Sequence, residues 1–224
     1  MKAMILAAGR GERMRPLTDH TPKPLLQVAG RALLDYPLER LARAQIDEVV
    51  INVAWHGSQM RDYVGDGSRW GLRVAFSDEG PQALETGGGI RQALPLLGAE
   101  PFWLVNADVF SDYTFRPQAL PGGALAHLVL VPNPEHHPGG DFALTAGRVH
   151  DGEGPRFTYS GLAVIHPDIV ANLAPGRFPL GPLLIEAARQ GRITGELYAG
   201  LWTDVGTPGR LAALERELGA QTSR

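Results

Sequence analysis

The 224-residue chain contains no cysteine. That absence excludes a disulfide framework, a thiol nucleophile and any cysteine-ligated metal. Nor does it hold a run near the roughly 20 apolar residues a bilayer span requires. The apolar stretch at its start is too short for a signal peptide and enters a loop motif directly, so the expected location is cytoplasmic. Charge of either sign is scarce in net terms: −3 overall gives no global attraction to nucleic acid or to a membrane surface. Repeats, low-complexity tracts and linkers are also missing, which favours one domain over two. Two common phosphate loops are absent as well. No GxxxxGK[ST] string occurs, and the dinucleotide fingerprint fails because Met14 stands where its third glycine belongs.

What the chain does have is concentrated at its start. Met4 to Ala8 is an apolar run that reads as a buried strand, followed by Gly9-Arg10-Gly11-Glu12-Arg13-Met14-Arg15-Pro16-Leu17-Thr18 and then Pro22-Lys23-Pro24-Leu25. Glycines allow a tight bend and a close backbone approach, so loop amides can face an anion. Arg10, Arg13, Arg15 and Lys23 add local positive charge, which suits a polyphosphate. An isolated loop Arg or Lys is ordinarily a solvated charge. Here Arg13 lies two residues past the glycine turn, and two prolines stiffen the backbone of Lys23. Arg10 and Arg15 are left between solvent and pairing with Glu12 or Asp19.

Beyond the loop, strand-like runs at 2–6, 48–53, 72–76 and 102–106 alternate with helical patterns at 33–44, 57–64 and 90–97. This alternation predicts βαβ units around a mostly parallel central sheet, an α/β fold of Rossmann-like three-layer type. Ligands of such sheets collect at the carboxyl ends of the strands, so the loop after Leu6 and the Asn106-Ala107-Asp108 segment should converge. Segment 111–160, rich in Pro and Gly, reads as antiparallel strands and loops that extend the sheet into a second wall. Thr207-Pro208 reads as the cap and first position of a last helix, with Leu211, Leu214 and Leu218 as its buried stripe. Asp108 and Asp204 each end an apolar run and so should stand at the sheet rim. An aspartate there more often caps a turn, but two rim carboxylates also match what Mg²⁺ takes beside phosphates and water. The adjacent histidines, His136 and His137, carry no third ligand at a metal spacing and read as loop residues.

The string from Leu6 to Leu25 closely resembles the LxAAGxGxRMxPLTxxxPKPL pattern of the sugar-1-phosphate nucleotidyltransferases, or nucleoside-diphosphate-sugar pyrophosphorylases. Further blocks follow in that family's order: Leu84-Glu85-Thr86-Gly87-Gly88-Gly89-Ile90, Val105-Asn106-Ala107-Asp108 and Trp202-Thr203-Asp204-Val205-Gly206-Thr207-Pro208. The resemblance implies the family's nucleotidyltransferase fold in one catalytic domain, 1–224, with a nucleotide-binding half at about 1–110 and a sugar-binding half at about 111–224. Larger relatives add an acyltransferase domain after the catalytic one; none is expected here.

The resemblance also implies roles. Arg13 and Lys23 are the catalytic cations, the first on the departing pyrophosphate and the second on the phosphates at the reacting centre. Ala8, Gly9, Gly11, Glu12, Arg13, Lys23, Gln82, Glu85, Thr86, Gly87 and Asn106 face the nucleotide, Gln82 as a reader of the base edge and the three glycines as a floor for a flat base. Asn106, Gly140, Glu153, Tyr159 and Ser160 face the sugar, and Asp108 and Asp204 hold Mg²⁺. The chain departs from the family at Glu85, where LGTAGAL has glycine, and at 151–156, where Asp-Gly-Glu-Gly-Pro-Arg replaces the Glu-Lys-Pro whose lysine holds the sugar phosphate. Arg156 could substitute for that lysine, or Lys23 could carry the charge alone. The implied reaction joins UTP to a sugar 1-phosphate and releases pyrophosphate. The expected sugar is N-acetylmuramate, in cell-wall recycling, with glucose, mannose or N-acetylglucosamine 1-phosphate and other triphosphates as alternatives. The small-molecule substrates are the expected partners, and the expected assembly is a monomer. A catalytically dead nucleotide-binding regulator would be expected to lose the lysine or an aspartate, and this chain keeps Arg13, Lys23, Asp108 and Asp204.

Overall fold

Apolar runs bounded by polar turns build one twisted sheet. In the computed structural model, which describes residues 1–222, β1 (Lys2–Leu6) runs into the glycine-rich loop. The loop ends in a small hairpin of β2 (Gln27–Val28) and β3 (Arg31–Ala32). Then come α1 (Asp35–Arg43), β4 (Glu48–Val53), α2 (Gly57–Val64), β5 (Arg73–Asp78), α3 (Glu85–Leu97) and β6 (Phe102–Asn106). The second half holds β7 (Val109–Ser111), β8 (Ala126–Val131), β9 (Phe142–Thr145), β10 (Arg148–His150) and β11 (Arg156–Ile165). It closes with α4 (Asp168–Ala171), α5 (Gly181–Arg189), β12 (Ile193–Leu197), β13 (Trp202–Asp204) and α6 (Pro208–Thr222).

Strand order in the nine-stranded sheet is β5-β4-β1-β6-β11-β8-β12-β10-β9. It is parallel from β5 to β6 and mixed beyond, because β11 runs antiparallel to both β6 and β8. The order of connection reverses between β1 and β6, which opens a crevice at their carboxyl ends. Ala107 N donates to Leu6 O there at 3.1 Å, so the glycine-rich loop and the Asp108 segment start side by side.

The alternation of residues along each strand sorts the core into two layers. Ile5, Ile51, Trp103 and Val105 pack against Leu38 and Leu41 of α1 and Met60 of α2. Met4, Val50, Leu104 and Leu128 pack on the other face against Ile90 and Ala93 of α3 and Leu184 of α5. A third cluster lies under α6, where Leu214 is buried with Leu211 and Leu218 beside it, against Met14, Val28 and Phe110. Thr207 caps that helix as expected, accepting from Arg210 N through its hydroxyl at 3.3 Å.

Two boundaries differ from the sequence reading. The third strand continues past its apolar run to Asp78, because β4 extends to Val53 and supplies ladder partners for Ser77 and Asp78. The helix expected at 90–97 begins at Glu85, so the three glycines lie inside it. They are also buried. A Cβ on Gly87 would lie 2.6 Å from the Phe178 ring, one on Gly88 would strike the Gly176 carbonyl oxygen, and one on Gly89 would strike Glu79 Oε1. The glycines let segment 176–178 lie directly on the helix. Gly88→Ala is therefore expected to lose about 1–3 kcal/mol through overpacking against backbone that cannot yield. Gly122→Ala, in open space, should be nearly neutral. Thermal unfolding of the pair checks this, and equal melting temperatures would refute the packing role.

Candidate active site

The phosphate loop is shaped by one left-handed glycine and one buried anchor. Gly11 adopts φ +67°, and its carbonyl accepts from Met14 N at 2.9 Å and from the Thr18 hydroxyl at 2.8 Å. Met14 is fully buried in the cluster under α6. Its neighbour Arg13 is thereby turned into a cleft of about 600 Å³, lined also by Ala8, Gly9, Gly11, Glu12, Lys23, Asn106 and Asp108. Arg10 lines the same cleft with its guanidinium 4.6 Å above the Trp55 ring. Arg15 turns away to Asp19 at 2.6 Å. A larger groove, about 760 Å³, lies around Met1, Glu100 and Pro121. It sits beside the starts of β1 and β6, away from every motif above.

Lys23 is fixed by its flanking prolines: Leu34 N donates to Pro24 O at 2.9 Å and Leu26 N to Lys23 O at 3.1 Å. The side chain is only 12% exposed, and Nζ lies 2.5 Å from Asp108 Oδ2. Asp108 is joined in turn to the far end of the chain. Its carbonyl accepts from Val205 N at 2.8 Å, and the ladder of β7 and β13 sets Asp204 opposite Val109. Two carboxylates separated by 96 positions thus share one rim. Both Asp204 oxygens accept from Arg210 Nη1, at 2.7 and 2.8 Å. Among the described residues no group of three or more His, Cys, Asp or Glu side chains is arranged to hold a metal. Two carboxylates completed by phosphate oxygens and water are nonetheless the donor set Mg²⁺ usually takes, so the residues fit that ion when a nucleotide is bound.

Beneath the loop lies a buried relay absent from the sequence reading. Glu79 accepts from Asn52 Nδ2 and from Leu84 N, each at 2.6 Å, while Asn52 Oδ1 accepts from Ala7 N at 2.6 Å. One carboxylate therefore ties the start of the phosphate loop to the start of α3. Burial raises the Glu79 pKa above the ordinary carboxylate value, against the lowering effect of the two hydrogen bonds it accepts. The only signals in the chain were a polar residue inside the apolar run of β4 and an acid just after β5.

Glu85 opens α3 at φ +62°, a conformation costly to any residue with a Cβ. This accounts for the family's preference for glycine at that position. Arg177 Nη2 holds the Glu85 carboxylate at 3.0 Å, and both side chains line the cleft. Thr86 also lines it, with its hydroxyl accepting from Leu180 N at 2.8 Å. Leu6, Thr86 and Asn106 border a second compartment of about 270 Å³ as well, with Asp141, Tyr159, Leu104, Phe142 and Leu184. Asp141 is aimed by Tyr159 N at 2.7 Å. The Tyr159 hydroxyl is buried with no hydrogen-bond partner among the described residues, and desolvation pushes its pKa well up. Gly161, at φ +80°, leaves room for the Asn106 amide, which a Cβ would meet at 2.6 Å.

A scan against family models matches residues 2–120 to the nucleotidyl transferase domain. The chain is 48% identical over 229 residues to an N-acetylmuramate alpha-1-phosphate uridylyltransferase of Neisseria meningitidis, covering 98% of this chain and 99% of that one. The chain belongs to the nucleotidyl transferase family. A second relative, from Caulobacter vibrioides and with the same name, is 37% identical over 96% of each chain. Among solved structures, HddC of Yersinia pseudotuberculosis with GMP-PN bound aligns at TM-score 0.78 and 18% identity over 97% of this chain and 99% of that one. A T. maritima inositol-1-phosphate CTP transferase aligns at TM-score 0.76 and 16% identity, over 97% and 95%. These two establish a shared fold.

Several residues that the resemblance nominated stand elsewhere in this nucleotidyltransferase. Gln82 is exposed on the loop before α3, outside the cleft lining, and Gly87 faces Phe178. With Gly88 and Gly89 also packed away, the glycine run is no floor for a base. Glu153 lies in an exposed bend outside both compartments. Gly140 is pressed against Asn133 and Arg156, and only its neighbour Asp141 reaches the second compartment. The Ser160 hydroxyl is spent inside the sheet, donating to Val129 O at 2.6 Å and accepting from Leu162 N at 3.1 Å. Arg156 is engaged by the Asp141 carbonyl and by Asp151 at 3.2 Å, and it lines neither compartment. The two histidines are in a loop as expected, yet neither is idle. His137 meets Asp141 at 3.0 Å, and His136 Nε2 lies 2.5 Å from Arg210 Nη1 and 3.1 Å from Asp204 Oδ1.

Proposed function

We propose that this nucleotidyltransferase transfers the uridylyl group of UTP to N-acetylmuramate 1-phosphate, giving UDP-N-acetylmuramate and pyrophosphate. The observation that carries the substrate is the 48% identity, over nearly the full length of both chains, to the Neisseria meningitidis enzyme of that name. A sugar-phosphate oxygen attacks the α-phosphorus of UTP in line, forming a new P–O bond. The bond from the α-phosphorus to the bridging oxygen breaks, and pyrophosphate departs with its electron pair. No protein nucleophile is needed, so the chain's task is positioning and charge neutralisation.

Lys23 neutralises charge at the reacting phosphorus, and Arg13 receives the departing pyrophosphate. Asp108 and Asp204 are the residues that would hold Mg²⁺, whose positive charge would offset the repulsion between two anionic substrates. The Glu79–Asn52 relay keeps the loop backbone in register with α3. The second compartment receives the sugar. Its apolar side, Leu104, Phe142 and Leu184, suits an acetyl methyl, and Tyr159, Asp141 and Asn106 offer hydrogen bonds to hydroxyls. The enzyme acts as a monomer in the cytoplasm, in recycling of peptidoglycan sugars.

A panel of nucleoside triphosphates and sugar 1-phosphates, scored by pyrophosphate release, tests the reading. N-acetylmuramate 1-phosphate with UTP is expected to exceed N-acetylglucosamine 1-phosphate by about ten- to hundredfold in kcat/KM, the worth of one charge-assisted contact to the lactyl carboxylate. Equal use of glucose, mannose or N-acetylglucosamine 1-phosphate would discard the muramate assignment and leave nucleotidyl transfer standing.

A further inference from the structure

One cation at the rim has no part in the scheme above. Arg210 stands in the first turn of α6, where the helix dipole opposes positive charge. Its side chain is 19% exposed and folds back from the helix onto Asp204, with Nη1 donating to both carboxylate oxygens. His136 Nε2 accepts from the same Nη1 at 2.5 Å, which makes Asp204 Oδ1 its neighbour and not its hydrogen-bond partner. The other arm lies over Gly206, at the border of the cleft. A Cβ on Gly206 would overlap Arg210 Nη2 and lie 3.2 Å from Arg13 Nη2, and Gly206 itself lines the cleft beside Arg13.

Two guanidinium groups therefore meet over a single glycine. Among the described residues, Asp204 is the carboxylate that pairs with Arg210, and none pairs with Arg13. Asp204 offsets the charge of Arg210, so the two guanidiniums together keep one positive charge that an anion can meet. The absence of a side chain at residue 206 is what gives both groups access to the same point. Such an arrangement is a fork for an anion with oxygens on two centres, and the loop it faces is the phosphate loop.

We infer that Arg210 is a second clamp on the polyphosphate, holding with Arg13 the pyrophosphate that leaves. The inference rests on the nucleotidyl-transfer reading of the cleft and extends it to a residue outside the family's motif cations. Arg210 has a second effect, because the Asp204 oxygens it occupies are those a divalent cation would take. Arg210 and the cation compete for them, and incoming phosphate oxygens relieve that competition by drawing the guanidinium off the carboxylate. His136 holds the guanidinium at the mouth of the cleft during the exchange.

The two effects have opposite signs, which a merely structural arginine would not produce. In Arg210→Ala, inorganic pyrophosphate titrated calorimetrically in EDTA is expected to bind about tenfold more weakly. Mn²⁺ alone, followed by electron paramagnetic resonance, is expected to bind more tightly to the same variant. Arg210→Lys keeps the charge and should recover part of the pyrophosphate affinity. Arg13→Ala, measured in parallel, reports on the cleft itself. If the wild type and Arg13→Ala bind pyrophosphate alike, or neither binds it, the polyphosphate reading of the cleft fails. If Arg13→Ala weakens pyrophosphate and Arg210→Ala stays within twofold of wild type, the second clamp fails alone. Weaker Mn²⁺ binding in Arg210→Ala would make Arg210 a support for Asp204 and overturn the competition.

Discussion

Replacing Asp108 with alanine is expected to abolish Mg²⁺-dependent turnover, by a factor on the order of 10³ or more, while leaving the fold in place. Its carboxylate is 31% exposed at the rim, and its ion pair with Lys23 is short but partly solvated. Removing the partner of a lysine only 12% exposed costs on the order of 1–3 kcal/mol, so the melting temperature should fall by several degrees with the fold retained. The Asp108 backbone is held independently through Val205 N, and the β7–β13 ladder does not depend on the side chain. Asp108→Asn sharpens the test. It keeps the shape and one acceptor oxygen but removes the charge that a hard divalent cation prefers. Near-normal rates for either variant at low millimolar Mg²⁺ would remove Asp108 from the metal site. Asp204→Ala bears a different signature, since it also releases Arg210 and His136. It should lose metal binding and alter pyrophosphate affinity together.

The parts of this site that were readable in the chain are those written in one stretch. Gly11, Arg13 and Lys23 lie within thirteen positions, and the turn that joins them is closed by local hydrogen bonds to Gly11 and Lys23. Asp108 and Asp204 were readable because each follows an apolar run, the first just past the carboxyl end of β6 and the second at the end of β13. What brings the two together is the short ladder of β7 and β13, which no local pattern announces. The Glu79–Asn52 relay was hidden for the same reason: its partners are 27 positions apart and meet only through the pairing of β4 with β5. The glycine run was expected as a floor for a base, and its place inside α3 was hidden because three glycines locally disfavour a helix. Tertiary packing overrode that preference, since segment 176–178 needs the space their missing side chains leave. Resemblance named Ser160 and Gly140, whose neighbours Tyr159 and Asp141 line the second compartment, without showing that the hydroxyl of one is used internally and that the other is walled in.

The second large effect belongs to Lys23. Lys23→Ala should lower kcat by roughly 2–4 kcal/mol in activation free energy, in line with the loss of one electrostatic contact to a developing charge. The magnitude follows from the side chain's surroundings. The side chain is 12% exposed, so the field of its ammonium on a nearby phosphorus is screened less than that of an exposed lysine. It is also held in place before substrate arrives, by the bond to Asp108 and by a backbone fixed between Pro22 and Pro24. A preorganised charge contributes most where charge accumulates, at the pentacoordinate phosphorus, and less to ground-state binding. The expected pattern is therefore a fall in kcat and kcat/KM together, with the KM for UTP changed only a few-fold. Lys23→Arg should recover little, because a planar fork cannot fill the position of a point charge 2.5 Å from a carboxylate oxygen. Steady-state kinetics with each substrate varied in turn distinguishes the outcomes. A variant altered only in its KM for the sugar phosphate would place Lys23 on the acceptor and away from the phosphorus under attack.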